Sequence, residues 1–210
     1  MSKNLSSVLT AGAQQLGLDL NEVQVGQLLQ FVELLTKWNK TYNLTAIDDP
    51  QEMLSKHILD SLSVSKYLVG EKILDIGSGA GLPGLPLSIT HAEKQFTLLD
   101  SNLKKTRFMQ QVAIELKLQN VEVVNQRIQT FQPAINHSFS TVVSRAFADS
   151  TSFINQCSHV ISQGRLIFML GKQKQLEALP KSYNVLEISS VTIPQLDAQR
   201  HIAVVEKNSQ

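Results

Sequence analysis

The feature that most constrains the fold is a glycine-rich segment, KILDIGSGAGLPGLPLSI, which runs from Lys72 to Ile89 and holds four glycines within eight residues. A short apolar run precedes the glycines, and an apolar segment with a proline at its start follows them. Glycines between a strand and a helix let the backbone pass close to a ligand, because no Cβ intervenes. The segment therefore predicts a strand–loop–helix unit whose loop binds a nucleotide-like molecule.

The glycines fit two classes of ligand, because they can be read in two registers. Gly77, Gly79 and Gly81 form G-x-G-x-G, which begins two residues after an acidic strand residue, Asp75. Gly79, Gly81 and Gly84 form G-x-G-x-x-G, the dinucleotide pattern. The first register indicates a methyl donor, S-adenosylmethionine, and the second indicates a nicotinamide or flavin cofactor.

Two acidic residues bear on this choice. Asp100 ends the next predicted strand, 21 residues after Gly79 (100 − 79), where it can bind the ribose hydroxyls of either ligand. Asp75 would repel a pyrophosphate, whereas the amino group and sulfonium of S-adenosylmethionine tolerate a nearby carboxylate. The roughly seventy residues before Lys72 are also few for the substrate domain of a dehydrogenase. The methyl donor is favoured, and an NAD(P)-dependent oxidoreductase stays open as the alternative.

The rest of the chain predicts an α/β fold preceded by helices. Asn21 and Gln24 form a capping box, and Asp49 with Pro50 begins another helix that extends to about residue 67. Residues 38–45 are predicted to form a loop. From Lys72 onward, short strands alternate with helices, which is typical of a doubly wound, Rossmann-like parallel sheet. Two closing strands without a crossover helix indicate a terminal antiparallel pair. We predict a helical extension over 1–68 and the sheet domain over 69–210.

Composition narrows the function classes. The chain has 210 residues, 42% of them hydrophobic, a formal net charge of +1 and a single cysteine, Cys157. Binding to nucleic acid must therefore depend on a local basic patch, and no intramolecular disulfide can form. Because we find neither a run of 18 apolar residues nor a signal-peptide core, we expect a cytoplasmic protein without a membrane partner. We also expect a monomer.

If the reaction is methyl transfer, several acceptors lack their usual signatures. Cys157 lies in an apolar-periodic segment typical of a buried helix, which disfavours the thiolate attack that cytosine C5 requires. The loop SRAFA (144–148) is not the proline-rich loop of exocyclic-amine enzymes, and the five histidines have no metal-ligand spacing, so no metal site is predicted. An acceptor that needs no deprotonation remains, and guanine N7 is such an atom.

Basic and aromatic residues supply candidates for RNA contacts. Lys104, Lys105 and Arg107 crowd the start of a predicted helix, where they oppose the helix dipole. Tyr42 and Phe147, placed in predicted loops, are candidates for stacking on a base. Ordinary surface charge is the alternative explanation of the basic cluster.

Five segments, in order along the chain, resemble the bacterial small-subunit rRNA methyltransferases known as RsmG or GidB. They are WNKTYNLTAIDDPQEMLSKHILDSL, ILDIGSGAGLPGLPL, LLDSNLKKTRF, VVSRAFA and LDAQRHIAVV, and together they span nearly the whole chain. The resemblance implies a class I methyltransferase fold, S-adenosylmethionine as the cofactor, and methylation of a guanine N7 in the decoding region of 16S rRNA of the small ribosomal subunit. A noncatalytic RNA-binding or ribosome-assembly module that keeps this fold is a further alternative.

The resemblance also implies roles for individual residues. Arg145 would be catalytic, at the mouth shared by donor and acceptor. Residues expected to bind the cofactor are Asp75, Gly77, Gly79, Gly81, Leu82, Asp100, Ile128, Gln129 and Arg145. His57 and Asp60 either shape the pocket or form a structural pair. Many members have Lys-Gly after the fifth strand, whereas this chain has Leu170 before Gly171 and Lys172 after it, which puts a role for that lysine in doubt.

Overall fold

The computed structural model describes residues 2–133, 138–145, 150–161, 163–171 and 179–208. The N-terminal part is helical, with α1 (Ser2–Gln15), α2 (Glu22–Tyr42), α3 (Pro50–Met53), a π-helical segment (Leu54–Leu59), α4 (Asp60–Leu62) and a 3-10 turn (Ser65–Tyr67). Three helices follow within the sheet region, namely α5 (Gly84–Thr90), α6 (Leu103–Glu115) and α7 (Ser150–Cys157). The strands are β1 (Lys72–Ile76), β2 (Gln95–Leu99), β3 (Val121–Val124), β4 (Thr141–Ser144), β5 (Arg165–Leu170), β6 (Tyr183–Val191) and β7 (Arg200–Lys207).

The predicted helix starts are confirmed. Asn21 and Gln24 make both bonds of a capping box at the start of α2, and the Asp49 carboxylate accepts a hydrogen bond from the Glu52 N–H with Pro50 at the first position of α3. The loop predicted over 38–45 is wrong in its first half, because α2 continues to Tyr42. The Trp38 ring packs 5.6 Å from the ring of Phe108 on α6, and this tertiary contact stabilises the last turn.

The strand order identifies the type of α/β fold. The sheet has the order β3-β2-β1-β4-β5-β7-β6, in which β1 to β5 are parallel and β7 runs antiparallel to both of its neighbours. Dinucleotide-binding Rossmann domains have the order 3-2-1-4-5-6. Here a reversed strand lies between β5 and β6. The predicted doubly wound sheet with a terminal antiparallel pair is confirmed.

Apolar side chains cover both faces of the sheet, as a buried parallel sheet requires. On one face, Ile73 of β1 belongs to a cluster that also contains Leu28 of α2, Leu59 of the π segment and Phe108 of α6. On the other face, Leu74 packs in a second cluster with residues of α7 and β5. The N-terminal helices thus share a core with the sheet, and the division at residue 68 stays a prediction.

Candidate active site

The glycine loop joins β1 to α5 in a conformation that favours glycine. Gly77, Gly79 and Gly81 have φ values of 70°, 60° and 81°, in the left-handed region. A Cβ added to Gly77 would meet no atom of the described residues within 4 Å, so the space in front of this residue is open. A Cβ added to Gly84 would instead collide with the Leu98 side chain of β2. The first glycines therefore leave room for a ligand, and the last allows close packing of helix on sheet.

Asp100 connects the end of β2 to the glycine loop. Its Oδ2 accepts a hydrogen bond from the Gly79 N–H at 2.9 Å, and its Oδ1 accepts one from the Asn102 N–H at 2.8 Å. Each carboxylate oxygen has two lone pairs, so acceptor capacity remains for a diol. The residue spacing noted in the sequence corresponds to a direct contact.

A cavity of about 340 Å³ opens at the carboxyl ends of β1 and β2 and the segment after β3. This is the edge at which open α/β sheets bind ligands. Its lining residues are Ile76, Gly77, Leu99, Asp100, Ser101, Gln126, Arg127, Ile128 and Gln129. Four residues predicted to bind the cofactor therefore come together here. Ser101 and Gln126 were missed by sequence reasoning, although both lie within two residues of a strand end.

The start of α5 is unsuited to a pyrophosphate, because its amide groups are already bonded or missing. The Gly84 N–H donates to Asp75 Oδ2 at 2.8 Å. The remaining N–H groups of this turn, those of Gly81, Leu82 and Leu85, donate to the carbonyls of Ser78, Ser78 and Gly81. Pro83 and Pro86 have no N–H. Dinucleotide folds bind the pyrophosphate with the helix N-terminus. This arrangement disfavours the dinucleotide register.

Asp75 lies behind the loop and does not line the cavity. Its side chain is fully buried, and its Oδ1 has no hydrogen-bond partner among the described residues. Burial raises the pKa of this carboxyl to about 7, against the Gly84 hydrogen bond and the Arg145 charge, which both lower it. In this position Asp75 holds the first turn of α5, and a direct contact with the cofactor stays a prediction.

Arg145 lies beside the loop, directly after β4. The preceding residue, Ser144, donates a hydrogen bond to the carbonyl of Ile76 at 3.0 Å, which links the ends of β4 and β1. Between these strands the chain order reverses, and such switch points are ligand sites in α/β sheets. The Arg145 guanidinium is 3.5 Å from Asp60 Oδ2, so the N-terminal segment reaches the active-site edge.

Other predicted residues are placed as follows. Leu82 is buried in the apolar core and does not line the cavity. Lys104 and Arg107 are exposed on α6, and the Lys105 Nζ lies 3.9 Å from the position that a Gly79 Cβ would occupy. Phe147 and Lys172 lie outside the described residues.

Tyr42 is an exposed aromatic residue at the end of α2. Its side chain is 40% exposed, and its ring packs 5.1 Å from that of Trp38. Trp38 in turn contacts Phe108, one helical turn after Lys104. Tyr42 therefore lies near the basic start of α6, although it belongs to a helix and not to the loop that was predicted.

The structure bears on three further points of the sequence analysis, namely Cys157, a metal site and a membrane span. Cys157 is confirmed as a buried helix residue, and burial raises the pKa of its thiol to about 12, which disfavours a thiolate nucleophile. Within the described ranges, no cluster of His, Cys, Asp and Glu side chains is suited to hold a metal ion. In the same part of the chain, no helix is long and apolar enough to cross a membrane.

Comparison with known proteins decides the family. The model of the family "rRNA small subunit methyltransferase G" matches residues 24–203. The chain belongs to this family. Relatives named ribosomal RNA small subunit methyltransferase G include one from Nitrosococcus oceani, 47% identical over 199 residues, covering 93% of this chain and 92% of the relative. Another, from Escherichia coli, is 43% identical over 203 residues, covering 95% and 97%.

Solved structures support the fold of this methyltransferase G family member. A SAM-dependent methyltransferase from Aquifex aeolicus aligns with a TM-score of 0.58 at 15% identity, covering 78% of this chain and 96% of that one. At such identity the likeness shows the fold alone. Together with the strand order, it confirms the predicted class I methyltransferase fold and the resemblance stated from the sequence.

Proposed function

We propose that this chain transfers a methyl group from S-adenosylmethionine to N7 of a guanine in 16S rRNA of the small ribosomal subunit. The match to the methyltransferase G family over residues 24–203 is the observation that carries this proposal. The cavity that unites Gly77, Asp100, Ile128 and Gln129 supports it.

The residues present fit S-adenosylmethionine. The open space at Gly77 accommodates a ligand against the backbone, and Asp100 provides a carboxylate for ribose hydroxyls. The bonded amides of α5 suit a ligand without phosphates. When bound, S-adenosylmethionine would supply a methyl group on a positively charged sulfur; a lone pair that accepts it breaks the sulfur–methyl bond and leaves the neutral thioether S-adenosylhomocysteine.

Each part of the site has a role in this proposal. Asp100 binds the ribose, Ile128 and Gln129 border the adenine, and Arg145 holds the acceptor at the neighbouring strand end. Guanine N7 has a free lone pair at neutral pH, so alignment and exclusion of water supply most of the rate. A general base is not required. His57 agrees with this, because burial and the Arg145 charge lower its pKa to about 4, which makes its imidazole a weak base at neutral pH.

The RNA would contact the surface next to this site. We assign Lys104, Lys105 and Arg107 to backbone phosphates and Tyr42 to stacking on a base, because α6 begins directly after Asp100 and the cavity. Since its substrate is part of the ribosome, we further propose that the protein acts in the cytoplasm. We also propose that it acts as a monomer.

The decisive test is methyl transfer from labelled donor to small ribosomal subunits isolated from a strain that lacks the gene. The expected product is one N7-methylguanosine, located by chemical strand cleavage, and naked 16S rRNA is assayed in parallel. Donor binding without transfer to either substrate would favour a noncatalytic assembly module. NADH binding without S-adenosylmethionine binding, measured by calorimetry, would favour the oxidoreductase.

The role of Arg145 has its own test. We expect Arg145→Ala to abolish transfer while the donor still binds, because this arginine does not line the cofactor cavity. Arg165→Ala is the matched control, since its guanidinium pairs with Glu206 at 3.3 Å elsewhere on the sheet. Wild-type transfer by Arg145→Ala would refute the assigned role.

A further inference from the structure

Three charged side chains from distant parts of the sequence meet beside the active site. Asp60 begins α4, Arg145 follows β4 and Arg200 begins β7. Asp60 Oδ2 is 3.5 Å from Arg145 Nη1, and Asp60 Oδ1 is 3.2 Å from Arg200 Nε. The Asp60 side chain is only 7% exposed, whereas those of the two arginines are 26% and 30% exposed. One buried carboxylate thus holds two partly exposed guanidinium groups.

The carboxylate is required for this arrangement. Two guanidinium groups repel each other, and Asp60 lies between them with one oxygen directed at each. Arg200 Nε donates a hydrogen bond to Asp60 Oδ1, and Arg145 forms an ion pair with Asp60 Oδ2, so the negative charge of the ionised carboxylate attracts both guanidinium groups. Burial raises the pKa of the Asp60 carboxyl, and the charges of Arg145 and Arg200 oppose that effect. Removing the negative charge would free Arg145 to turn away from its neighbour.

The same N-terminal segment supplies the second contact of Arg145. The Asp60 N–H bonds to the carbonyls of Ser55 and His57 and skips that of Lys56, which an α-helix would use. The Lys56 carbonyl accepts a hydrogen bond from Arg145 Nη1 at 3.4 Å. π-Helical turns occur often at functional sites, and here the turn changes which carbonyl is available.

His57 reinforces this turn. Its Nε2 is 2.9 Å from the Thr45 hydroxyl, and its Nδ1 is 3.1 Å from the Lys56 carbonyl. A carbonyl can only accept, so Nδ1–H donates to the Lys56 carbonyl, and Nε2 of the neutral ring accepts from the Thr45 hydroxyl, whose oxygen also accepts from the Ile47 N–H. The loop before α3 therefore helps to fix the carbonyl that receives Arg145.

We propose that Asp60 is a positioning residue for methyl transfer, which holds Arg145 against the end of β4 in the orientation that the acceptor guanine requires. This inference rests on the proposed function, because it assigns the purpose of the Asp60 contact to the reaction. A buried ion pair is by itself weak support for stability, since apolar replacements are often as stable. The location of Arg145 at the switch point between β1 and β4 gives the pair a functional explanation.

The test compares variants in single-turnover transfer to small subunits at saturating donor. Asp60→Asn keeps the shape but removes the charge, and we expect its rate to fall about 100-fold, the loss that a misplaced site residue causes. Its Kd for S-adenosylhomocysteine should change less than about twofold, because Asp60 is outside the cofactor cavity. Glu206→Gln, which removes the acid of the Arg165 pair, is the matched control and should transfer at the wild-type rate. Asp60→Glu, which retains the charge, should recover part of the rate.

A double-mutant cycle separates positioning from an independent structural role. If Asp60 acts through Arg145, then Asp60→Asn combined with Arg145→Gln is no slower than Arg145→Gln alone. Losses that multiply would overturn the proposal, as would a wild-type rate in Asp60→Asn.

Further outcomes distinguish a variant that fails to fold, a failure of this inference and a failure of the proposed function. If Asp60→Asn does not fold, the double variant Asp60→Asn with Arg200→Gln replaces it, because it removes one charge of each sign. A wild-type transfer rate in the double variant overturns the inference, and a loss of rate of about 100-fold supports it. A wild-type protein without any transfer would instead refute the proposed function. Transfer that depends on Arg145 but not on Asp60 would leave that function intact and reject only the positioning.

Discussion

The buried carboxyl of Asp75 makes the stability of this protein depend on pH in a way that one substitution should remove. Its Oδ2 accepts the Gly84 N–H, whereas its Oδ1 has no hydrogen-bond partner in the described part of the chain. Asparagine has the same shape, and its oxygen can accept the same hydrogen bond. Asp75→Asn therefore tests the cost of an ionised carboxylate at this position.

The magnitude follows from the shift in the pKa of this carboxyl. Burial raises the pKa from 3.8 to about 7. Because the folded-state value lies above the unfolded one, the stabilising contribution is complete below pH 3.8 and is lost as the pH rises through 7. Between pH 5 and pH 8, the linkage relation gives a loss of about 2.5 kcal/mol in the free energy of unfolding of the wild type.

The assay is urea unfolding followed by circular dichroism at pH 5 and pH 8. From pH 5 to pH 8, we expect the free energy of unfolding of the wild type to fall by about 2.5 kcal/mol relative to that of Asp75→Asn. A buried, unpaired amide N–H₂ costs about 1–3 kcal/mol, but this cost is the same at both pH values. Contributions from Asp60 and His57 occur in both proteins and cancel in the difference.

Asp19→Asn is the matched control, because Asp19 is an exposed acid of the same type. Its unfolding free energy should follow that of the wild type at both pH values. If the curves for the wild type and Asp75→Asn stay parallel, the Asp75 carboxyl is already ionised in the folded protein at pH 5, its pKa is not raised, and the burial argument is wrong.

Three further predictions concern Gly84, Asp100 and Cys157. Gly84→Ala should lower the free energy of unfolding by about 1–3 kcal/mol, because its Cβ would collide with Leu98. Gly26→Ala, at an exposed position of α2, should raise it by about 0.5–1 kcal/mol. Equal effects in urea unfolding would contradict this packing. Asp100→Asn should weaken S-adenosylhomocysteine binding about tenfold or more in calorimetry, because a charged acceptor is lost. An unchanged Kd would remove Asp100 from the cofactor site. Cys157 should resist thiol reagents in the native protein and react after unfolding, since it is buried and the pKa of its thiol is raised to about 12; rapid native labelling would contradict its burial.

The architecture could be predicted from the sequence, because its signals are local. Short apolar runs alternating with amphipathic segments predicted the strands, and the capping residues Asn21 and Asp49 marked helix starts. The spacing between Gly79 and Asp100 indicated that the ends of β1 and β2 act together, and a hydrogen bond joins them. Neighbouring parallel strands place such residues at one edge, so the cofactor cavity was largely predictable.

Contacts between residues far apart in the chain were decided only by the tertiary structure. The glycines alone fit two cofactors, and it is the Asp75 carboxylate on the Gly84 N–H, together with the reversed β7, that disfavours a dinucleotide. The structure also shows that the Asp75 side chain is fully buried and bonded to the Gly84 N–H, whereas its contact with the cofactor stays a prediction. The meeting of Asp60, Arg145 and Arg200 has no signal in the sequence, because it depends on how the N-terminal helices pack against the strand ends. Local sequence patterns determine the helices and strands. Contacts that buried charged side chains make between these elements determine where the residues of the candidate site lie.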